Sequence, residues 1–302
     1  MRTAGRWEAI AAAVLFSTGG AAIKAEAFSG IQISAVRSGL AAVVLLVWLQ
    51  GRTSWSVPVL LASIVYAATL TLFVLATKLT TAANAIFLQS TAPLYILFLG
   101  PVLLGERFRT RDVAFLGAVA AGLVLCMADR ASATATAPEP ATGNLLGVAC
   151  SMAWALTLVA LRYVERDPRR AGGGMTAVLA GNAIACLAAL PFAFPFPAAP
   201  PGAWATLAYL GVFQIGLAYV CLTAAMRHLP ALEASLLLLL EPVLNPIWTW
   251  MVRGEAPGPW TIAGGGLILA ATGAKAAWDA RVPLAPMMAG EVASVATKAT
   301  KS

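Results

Sequence analysis

Charged residues are scarce in this sequence. Lys, Arg, Asp and Glu make up 11% of its 302 residues, hydrophobic residues make up 60%, and the mean hydropathy is +0.82. Soluble globular domains carry about a quarter charged residues, so a soluble protein is excluded. Because backbone polar groups in a bilayer must be satisfied within the chain, the composition predicts an all-α polytopic membrane protein.

Histidines and paired cysteines are also few. His228 is the sole histidine and stands beside Arg227 in a predicted loop, so we interpret it as a loop residue and not as a proton relay. The four cysteines lie singly in apolar runs without a CxxC pair, which favours small buried side chains over disulfides or metal ligands. The apolar runs also lack the Ser–Lys or Asp–Asp pairs of an intramembrane enzyme. We expect no enzymatic activity, no metal and no cofactor.

The net charge of +7 comes from basic residues in short segments between apolar runs. No basic helix with interleaved aromatics is present, so we expect no nucleic-acid partner. If the N-terminus is cytoplasmic, 15 of the 20 Lys and Arg residues fall on the cytoplasmic side, and the positive-inside rule predicts that both termini are there. Arg37 stands inside a predicted helix, where it could neutralise an internal acid or snorkel to the outer interface.

Ten apolar runs are long enough to cross the ~30 Å hydrocarbon core of a bilayer as helices. The longest polar connection is the linker 130–142, and the tail 279–302, rich in Ala, Thr and Lys, is expected to be disordered. The predicted helices are 7–24, 32–50, 56–77, 80–104, 111–129, 143–163, 174–192, 202–226, 230–252 and 258–278.

The two halves of the chain repeat one another. A shift of 149 residues lays Pro93 on Pro242 and Gly105-Glu106 on Gly254-Glu255, and a shift of 138 lays Lys24 on Arg162. Chance identity between apolar helices is the alternative explanation. Five helices is an odd number, so the repeats 1–129 and 143–278 should have opposite orientations in the membrane. Inverted repeats of this kind are typical of secondary transporters, which bind their substrate near the midplane.

Small residues spaced four apart, Gly117/Ala121 and Gly266/Ala270/Ala274, let the fifth and tenth helices approach their neighbours closely. The neighbour is either another helix of the same molecule, which we favour, or a second copy of the chain.

Glu241 lies near the middle of the apolar run Leu232 to Val252, whose other acid, Glu233, is close to its start. Glu241, Asn245 and Trp248 are spaced i, i+4, i+7 and should share a helix face that looks into protein or a water-filled cavity. The alternatives are a structural Glu241 that accepts hydrogen bonds from backbone groups near a proline, or one that stays protonated as a packing group.

The half-repeat pattern, with Arg37 in the second helix and the Pro-to-Gly-Glu spacing in each half, resembles the EamA family of the drug/metabolite transporter superfamily over about residues 5–278. It is most similar to the YddG-type exporters of aromatic and other amino acids. The resemblance implies ten helices around a central cavity, alternating access and no use of ATP. Helices one, three, four, six, eight and nine would line the cavity, and the Gly-Glu pairs would be structural.

Polar and aromatic residues on the helices that would line the cavity are the candidate substrate-binding residues. Trp154, Tyr95 and Trp248 rank above other aromatics because they lie well inside their helices, away from the membrane interfaces where Trp and Tyr are common. The full set is Glu241, Asn245, Trp248, Tyr95, Thr91, Asn84, Trp154, Tyr219, Gln214 and Ser17.

These features predict a secondary transporter that exports small metabolites from the cytoplasm across the cell (inner) membrane. Amino acids, including aromatic ones, are the leading substrate class. Other solute classes remain open: nucleobases, sugars and organic cations. A channel would differ by having a continuous polar stripe. We expect a small-molecule substrate and the lipid bilayer as partners, and a monomer or weak homodimer.

Overall fold

The computed structural model describes residues 2–99, 102–103, 111–128, 134–165, 167–226, 237–238 and 240–281. Every regular element within these ranges is helical. Six of the helical segments are long and apolar enough to cross a membrane, so the polytopic, all-helical prediction is confirmed at this level. These segments are Thr3–Ala25, Gly30–Leu49, Val57–Leu79, Pro140–Glu165, Gly173–Ala193 and Pro201–Ala225.

The helices follow the predicted order, and most of the ends that the structure describes lie within a few residues of the prediction. The α-helices are α1 Arg2–Ser17, α2 Gly19–Ala25, α3 Gly30–Leu49, α4 Val57–Leu79, α5 Ala82–Gln89, α6 Ala92–Leu99, α7 Arg111–Ala128, α8 Pro140–Glu165, α9 Gly173–Ala193, α10 Pro201–Tyr209, α11 Ala218–Met226, α12 Leu240–Arg253 and α13 Pro259–Arg281. A short 3₁₀ turn, Pro168–Arg170, joins α8 to α9, and the π-helix Leu210–Leu217 joins α10 to α11.

Local sequence chemistry explains several helix ends. Ser29 begins α3 with a capping box, because its hydroxyl accepts from the backbone of Gln32 while the Gln32 side chain accepts from the backbone of Ser29. Ser56 and Thr81 cap α4 and α5 in the simpler way, through one side-chain acceptor each. At its other end α3 stops at Gln50, which adopts the left-handed conformation.

Two predicted continuous helices are interrupted. The first breaks at Thr18, where the hydroxyls of Ser17 and Thr18 donate to Val14 O and Leu15 O, and two glycines follow. Ser and Thr that bond back to the preceding turn bend helices, and glycine weakens them. The fourth breaks at Ser90 and Thr91, whose hydroxyls donate to Ile86 O and Leu88 O. The sequence prediction missed both breaks because it followed hydrophobicity alone.

Three other predictions, for the linker, the tail and the ninth helix, concern segments that border residues outside the described ranges. Helix α8 begins at Pro140, inside the predicted linker, and α13 continues to Arg281, inside the predicted tail. The rest of the tail, from 282 on, lies outside the described residues. The ninth helix is described as α12 from Leu240, and Leu237 and Leu238 before it are also helical, so the predicted place of Glu241 along the full helix stays a prediction. Residues 227–236 and 239 of the predicted run are outside the described residues.

Several pairs of helices pack against one another. These pairs are α4 with α8 and α9, α3 with α9, α7 with α13, and α1 with α11 and α12. Helices α7 and α13 approach most closely at Gly122 and Gly264. A Cβ atom on Gly264 would lie 2.5 Å from the carbonyl oxygen of Gly122. Gly117 and Gly266 do not make the expected close contact within the described part of the molecule, since no described atom lies within 4 Å of a Cβ added at either position. Contact of these residues with a second copy of the chain stays a prediction.

Candidate functional site

A cluster of polar side chains lies at the centre of the helix bundle. Arg37 on α3 is 3% exposed, and the groups near enough to affect its charge are Tyr66 on α4, Cys150 on α8, Tyr219 on α11 and Glu241 on α12. Among the described residues, Arg37 is also the only charged group near enough to affect the charge of Glu241. The two groups form no direct ion pair with one another in the described part of the chain, although each is near enough to influence the charge of the other.

Aromatic rings form one wall of this cluster. Tyr219 meets Phe16 edge-to-face with 5.2 Å between ring centroids, and meets Tyr66 in the same way at 5.6 Å. Trp154 on α8 packs against the same group of buried side chains. Such a wall favours planar or cationic solutes through ring stacking and cation–π contact.

A cleft of about 1100 Å³ leads toward the cluster from the end of the bundle where α3 and α8 finish and α9 begins. Its mouth includes Gln50 and Gly172, and its inner limit is Tyr219. The side chain of Tyr219 therefore stands between the cleft and the charged groups behind it. This volume exceeds what a single amino acid or a similar metabolite requires.

A second polar layer surrounds the break in the first predicted helix. Trp248 Nε1 donates to Ser17 Oγ at 2.9 Å, which joins α12 to α1. Gln214 in the π-helix donates through Nε2 to Phe16 O at 3.3 Å. Asn245 is fully buried against Gly20, and both atoms of its amide lack a hydrogen-bond partner among the described residues. The glycine is required here because a Cβ atom at position 20 would overlap the Asn245 amide.

The structure brings seven of the ten predicted site residues together in these two layers: Glu241, Tyr219, Trp154, Asn245, Trp248, Gln214 and Ser17. The other three lie elsewhere. Thr91 is fully buried and shares a 2.9 Å hydrogen bond with Ser151, and Asn84 donates to Asn144 and accepts from Thr261. Tyr95 is half-buried on α6, and no contact described for it reaches the cluster.

The opposite end of the bundle is held by an ion pair. Lys24 Nζ lies 3.4 Å from Glu255 Oε2, with side chains only 2% and 6% exposed, and it also donates to Thr80 O and Thr136 O. Glu255 accepts from the backbone N–H of Ala82 at 2.7 Å. A pocket of about 470 Å³ lies beside this pair, and its lining, which includes Asn84 and Thr261, contains none of the central cluster.

Sequence reasoning missed Arg37, Tyr66 and Asn182 as site residues. Helices two and seven, which carry Arg37 and Asn182, are absent from the lining that the family resemblance implied. The interpretation that Arg37 snorkels to the interface is wrong because its side chain is buried. The other interpretation, that Arg37 lies inside near an acidic group, used the right signal, which is the need of a buried acid for a nearby basic group, but did not lead to its selection as a site residue. Within the described ranges, no three His, Cys, Asp or Glu side chains lie close enough to hold a metal ion.

Comparison with known proteins places this geometry in a family. The model of the EamA-like transporter family matches the chain twice, over residues 4–128 and 141–273. The aromatic amino acid exporter YddG of Ancylobacter novellus is 30% identical over 186 residues, which is 60% of this chain and 62% of the exporter. An uncharacterized transporter of Archaeoglobus fulgidus is 25% identical over 206 residues, 68% of this chain and 70% of that protein.

A solved crystal structure has the same fold, with a TM-score of 0.61 and 23% sequence identity. The match covers 94% of this chain and 100% of the solved chain. A likeness at this level of sequence identity establishes the fold alone.

Proposed function

Because the chain belongs to the EamA-like transporter family and is a multi-span membrane transporter, we propose that it exports amino acids, aromatic ones included, by alternating access. The observation that carries this proposal is that Glu241 and Arg37 lie near one another, without a direct ion pair, behind an aromatic wall at the inner limit of the cleft. A carboxylate held in the interior without a direct ion pair is suited to bind an ammonium group. The rings of Phe16 and Tyr219 are suited to an aromatic side chain.

Similarity to a known exporter supports the substrate class. The Ancylobacter novellus protein is named for the export of aromatic amino acids, and the aligned part covers 62% of it. The aromatic residues around Tyr219 give this chain its own reason to bind such substrates. We therefore propose amino acids ahead of nucleobases, sugars and organic cations, since none of these other classes requires both an acidic and a basic group.

Alternating access is supported by the difference between the two ends of the bundle. The cleft is open at one end, whereas the Lys24–Glu255 pair closes the other. The double match to the family model supports two repeats, and the helix contacts support a two-fold relation between them, which the odd number of five crossings in each half makes inverted. For example, α1 packs on α11 and α8 packs on α4, which are corresponding pairs if the halves correspond. We propose ten membrane crossings arranged as two inverted five-helix repeats.

Orientation follows from the distribution of positive charge. We propose that both termini lie in the cytoplasm and that the protein resides in the cell (inner) membrane. The cleft, whose mouth contains Gln50, then opens to the cytoplasm, as an exporter that is ready to load substrate requires.

The experiment is transport by the purified chain in proteoliposomes that are preloaded with unlabelled phenylalanine, with labelled phenylalanine outside. Saturable exchange that is competed by aromatic amino acids supports the proposal. Competition by nucleobases, sugars or organic cations, but not by amino acids, would reject the substrate class. Flux that rises linearly with concentration and is not competed by any of these solutes would instead indicate a channel.

A further inference from the structure

Arg37 has hydrogen-bonding capacity that the described protein does not use. Its Nε and Nη1 atoms are buried, and neither finds an acceptor among the described residues. The guanidinium is charged at any physiological pH and carries five N–H donors. A charged group is costly to bury unless acceptors are supplied, so its retention inside the bundle calls for an acceptor that binds there.

The surroundings of Arg37 contribute further unused polar atoms. The hydroxyl of Tyr66 lies beside the Tyr219 hydroxyl and the Asn182 side chain. Neither this hydroxyl nor Oδ1 of Asn182 has a hydrogen bond of normal geometry in the described part of the chain, and both are buried. The Asn182 side chain is held in place, because its Nδ2 donates to Val178 O within α9 at 2.9 Å. The Tyr66 hydroxyl can donate a hydrogen bond to an acceptor that binds Arg37.

Arg37 lies where it can bind a different group of the solute from the group that Glu241 binds. Tyr66 and Tyr219 are both near Arg37, and Tyr219 forms the inner limit of the cleft. A small solute that passes Tyr219 therefore meets the basic group, the acidic group and the rings together. A carboxylate, which has two oxygens in a plane, matches the planar donor fork of Arg and can accept two parallel hydrogen bonds from it.

We propose that Arg37 binds the carboxylate of the transported amino acid. This inference rests on the proposed function and specifies how the site recognises its substrate. The ammonium group binds Glu241, the side chain packs on Tyr219 and Phe16, and the carboxylate occupies Arg37 with help from the Tyr66 hydroxyl. The site then discriminates an amino acid from the amine that remains when the carboxylate is removed.

The test measures binding of labelled phenylalanine and labelled phenethylamine to the purified full chain. Wild type should bind phenylalanine at least about tenfold more tightly than phenethylamine, which corresponds to one charged hydrogen-bonded contact. Arg37→Gln should weaken phenylalanine binding by about tenfold or more and change phenethylamine binding by less than about threefold. Arg169→Gln, an exposed arginine in the turn before α9, is the control and should change neither.

Two further variants keep the test decisive if Arg37→Gln does not fold. Arg37→Lys retains the charge without the planar fork, and should weaken phenylalanine binding alone and by a smaller factor. Arg37→Gln/Glu241→Gln removes both charges and leaves neither one unpaired in the interior, and it should bind the two ligands equally.

The outcomes separate this inference from the proposed function. Equal losses for phenylalanine and phenethylamine in Arg37→Gln and Arg37→Lys would show that Arg37 only shapes the site, and would overturn the inference. Unchanged binding of both ligands would overturn it as well. A wild type that binds the two ligands equally would reject the carboxylate assignment alone, whereas a wild type that binds no amino acid would reject the proposed function and this inference with it.

Discussion

Lys24 and Glu255 form a buried ion pair that joins α2 to the segment after α12, with 3.4 Å between Lys24 Nζ and Glu255 Oε2. The two residues belong to different copies of the family domain. Glu255 also accepts from the N–H of Ala82 at the start of α5, so the pair ties three parts of the chain together at the end opposite the cleft. A transporter that alternates must break contacts of this kind in its other state.

Removing one partner of this pair should open that end of the bundle. Glu255→Gln leaves Lys24 buried with carbonyl acceptors only, and loss of one member of a buried pair costs about 3–5 kcal/mol. In a chain whose native cysteines are replaced, a cysteine at Thr81 should react with a membrane-impermeant maleimide at least about tenfold faster when Glu255→Gln is present. Thr81 lines the pocket beside the pair, so its reactivity reports on this end.

Glu139→Gln is the matched control, because Glu139 is an exposed acid at the same end of the bundle. It should leave the labelling of Thr81→Cys unchanged. The exchanged pair Lys24→Glu/Glu255→Lys should restore slow labelling in part. If Glu255→Gln labels no faster than wild type, the pair does not hold this end closed.

Two glycines on α13 should respond differently to substitution by alanine, because only one of them lies against α7. Gly264→Ala places a Cβ atom against the Gly122 backbone, and overpacking of this kind costs about 1–3 kcal/mol. Gly266→Ala meets open space and should be neutral or stabilise the helix by up to about 1 kcal/mol. Thermal unfolding in detergent should show a lower midpoint for Gly264→Ala alone. Equal midpoints in the two variants would mean that the two helices do not approach at Gly264.

These glycines show where sequence reasoning stops. The spacing of small residues predicted that helices five and ten approach their neighbours closely. The two helices do approach one another, but at Gly122 and Gly264 and not at Gly117 or Gly266. Periodicity places residues on a face of one helix, and the neighbour of that face is decided by tertiary packing. The predicted helices are found in the structure because a hydrophobic run is a local feature of the sequence. The breaks at Thr18 and Thr91 depend instead on hydrogen bonds from side chains to the backbone, which hydrophobicity does not report.

The same limit applies to the site. Glu241, Asn245 and Trp248 could be grouped because they share one helix, and their contacts lie on the same side of α12. Asn84 and Thr91 were grouped with them by polarity, yet their partners Asn144 and Ser151 lie on α8 and satisfy them there. Arg37 was noticed but not assigned, since its relation to Glu241 spans helices that are far apart in the sequence.

The aromatic wall should govern preference among amino acids. Tyr219→Ala removes the ring that contacts Phe16 and Tyr66, and aromatic contacts are worth about 0.5–1.5 kcal/mol beyond the area they bury. The KM for phenylalanine exchange should rise about three- to tenfold more than the KM for alanine exchange. Tyr163→Ala, an exposed tyrosine on α8, is the control. Equal increases for the two substrates would show that Tyr219 gates or packs but does not select.

Substitution of Glu241 tests most directly whether the central site binds substrate or has only a structural role. The measurement is exchange of labelled phenylalanine in proteoliposomes by wild type, Glu241→Asp and Glu241→Gln, with and without an imposed pH gradient. A charged hydrogen bond contributes about 1.5–3 kcal/mol. Glu241→Gln should therefore raise the KM about tenfold to a hundredfold, and Glu241→Asp should recover part of the loss. If Glu241→Gln lost only the response to the pH gradient, Glu241 would be a proton-coupling group and not the ammonium site. Full activity of Glu241→Gln at the wild-type KM would contradict a role of Glu241 in substrate binding and would make it a packing residue.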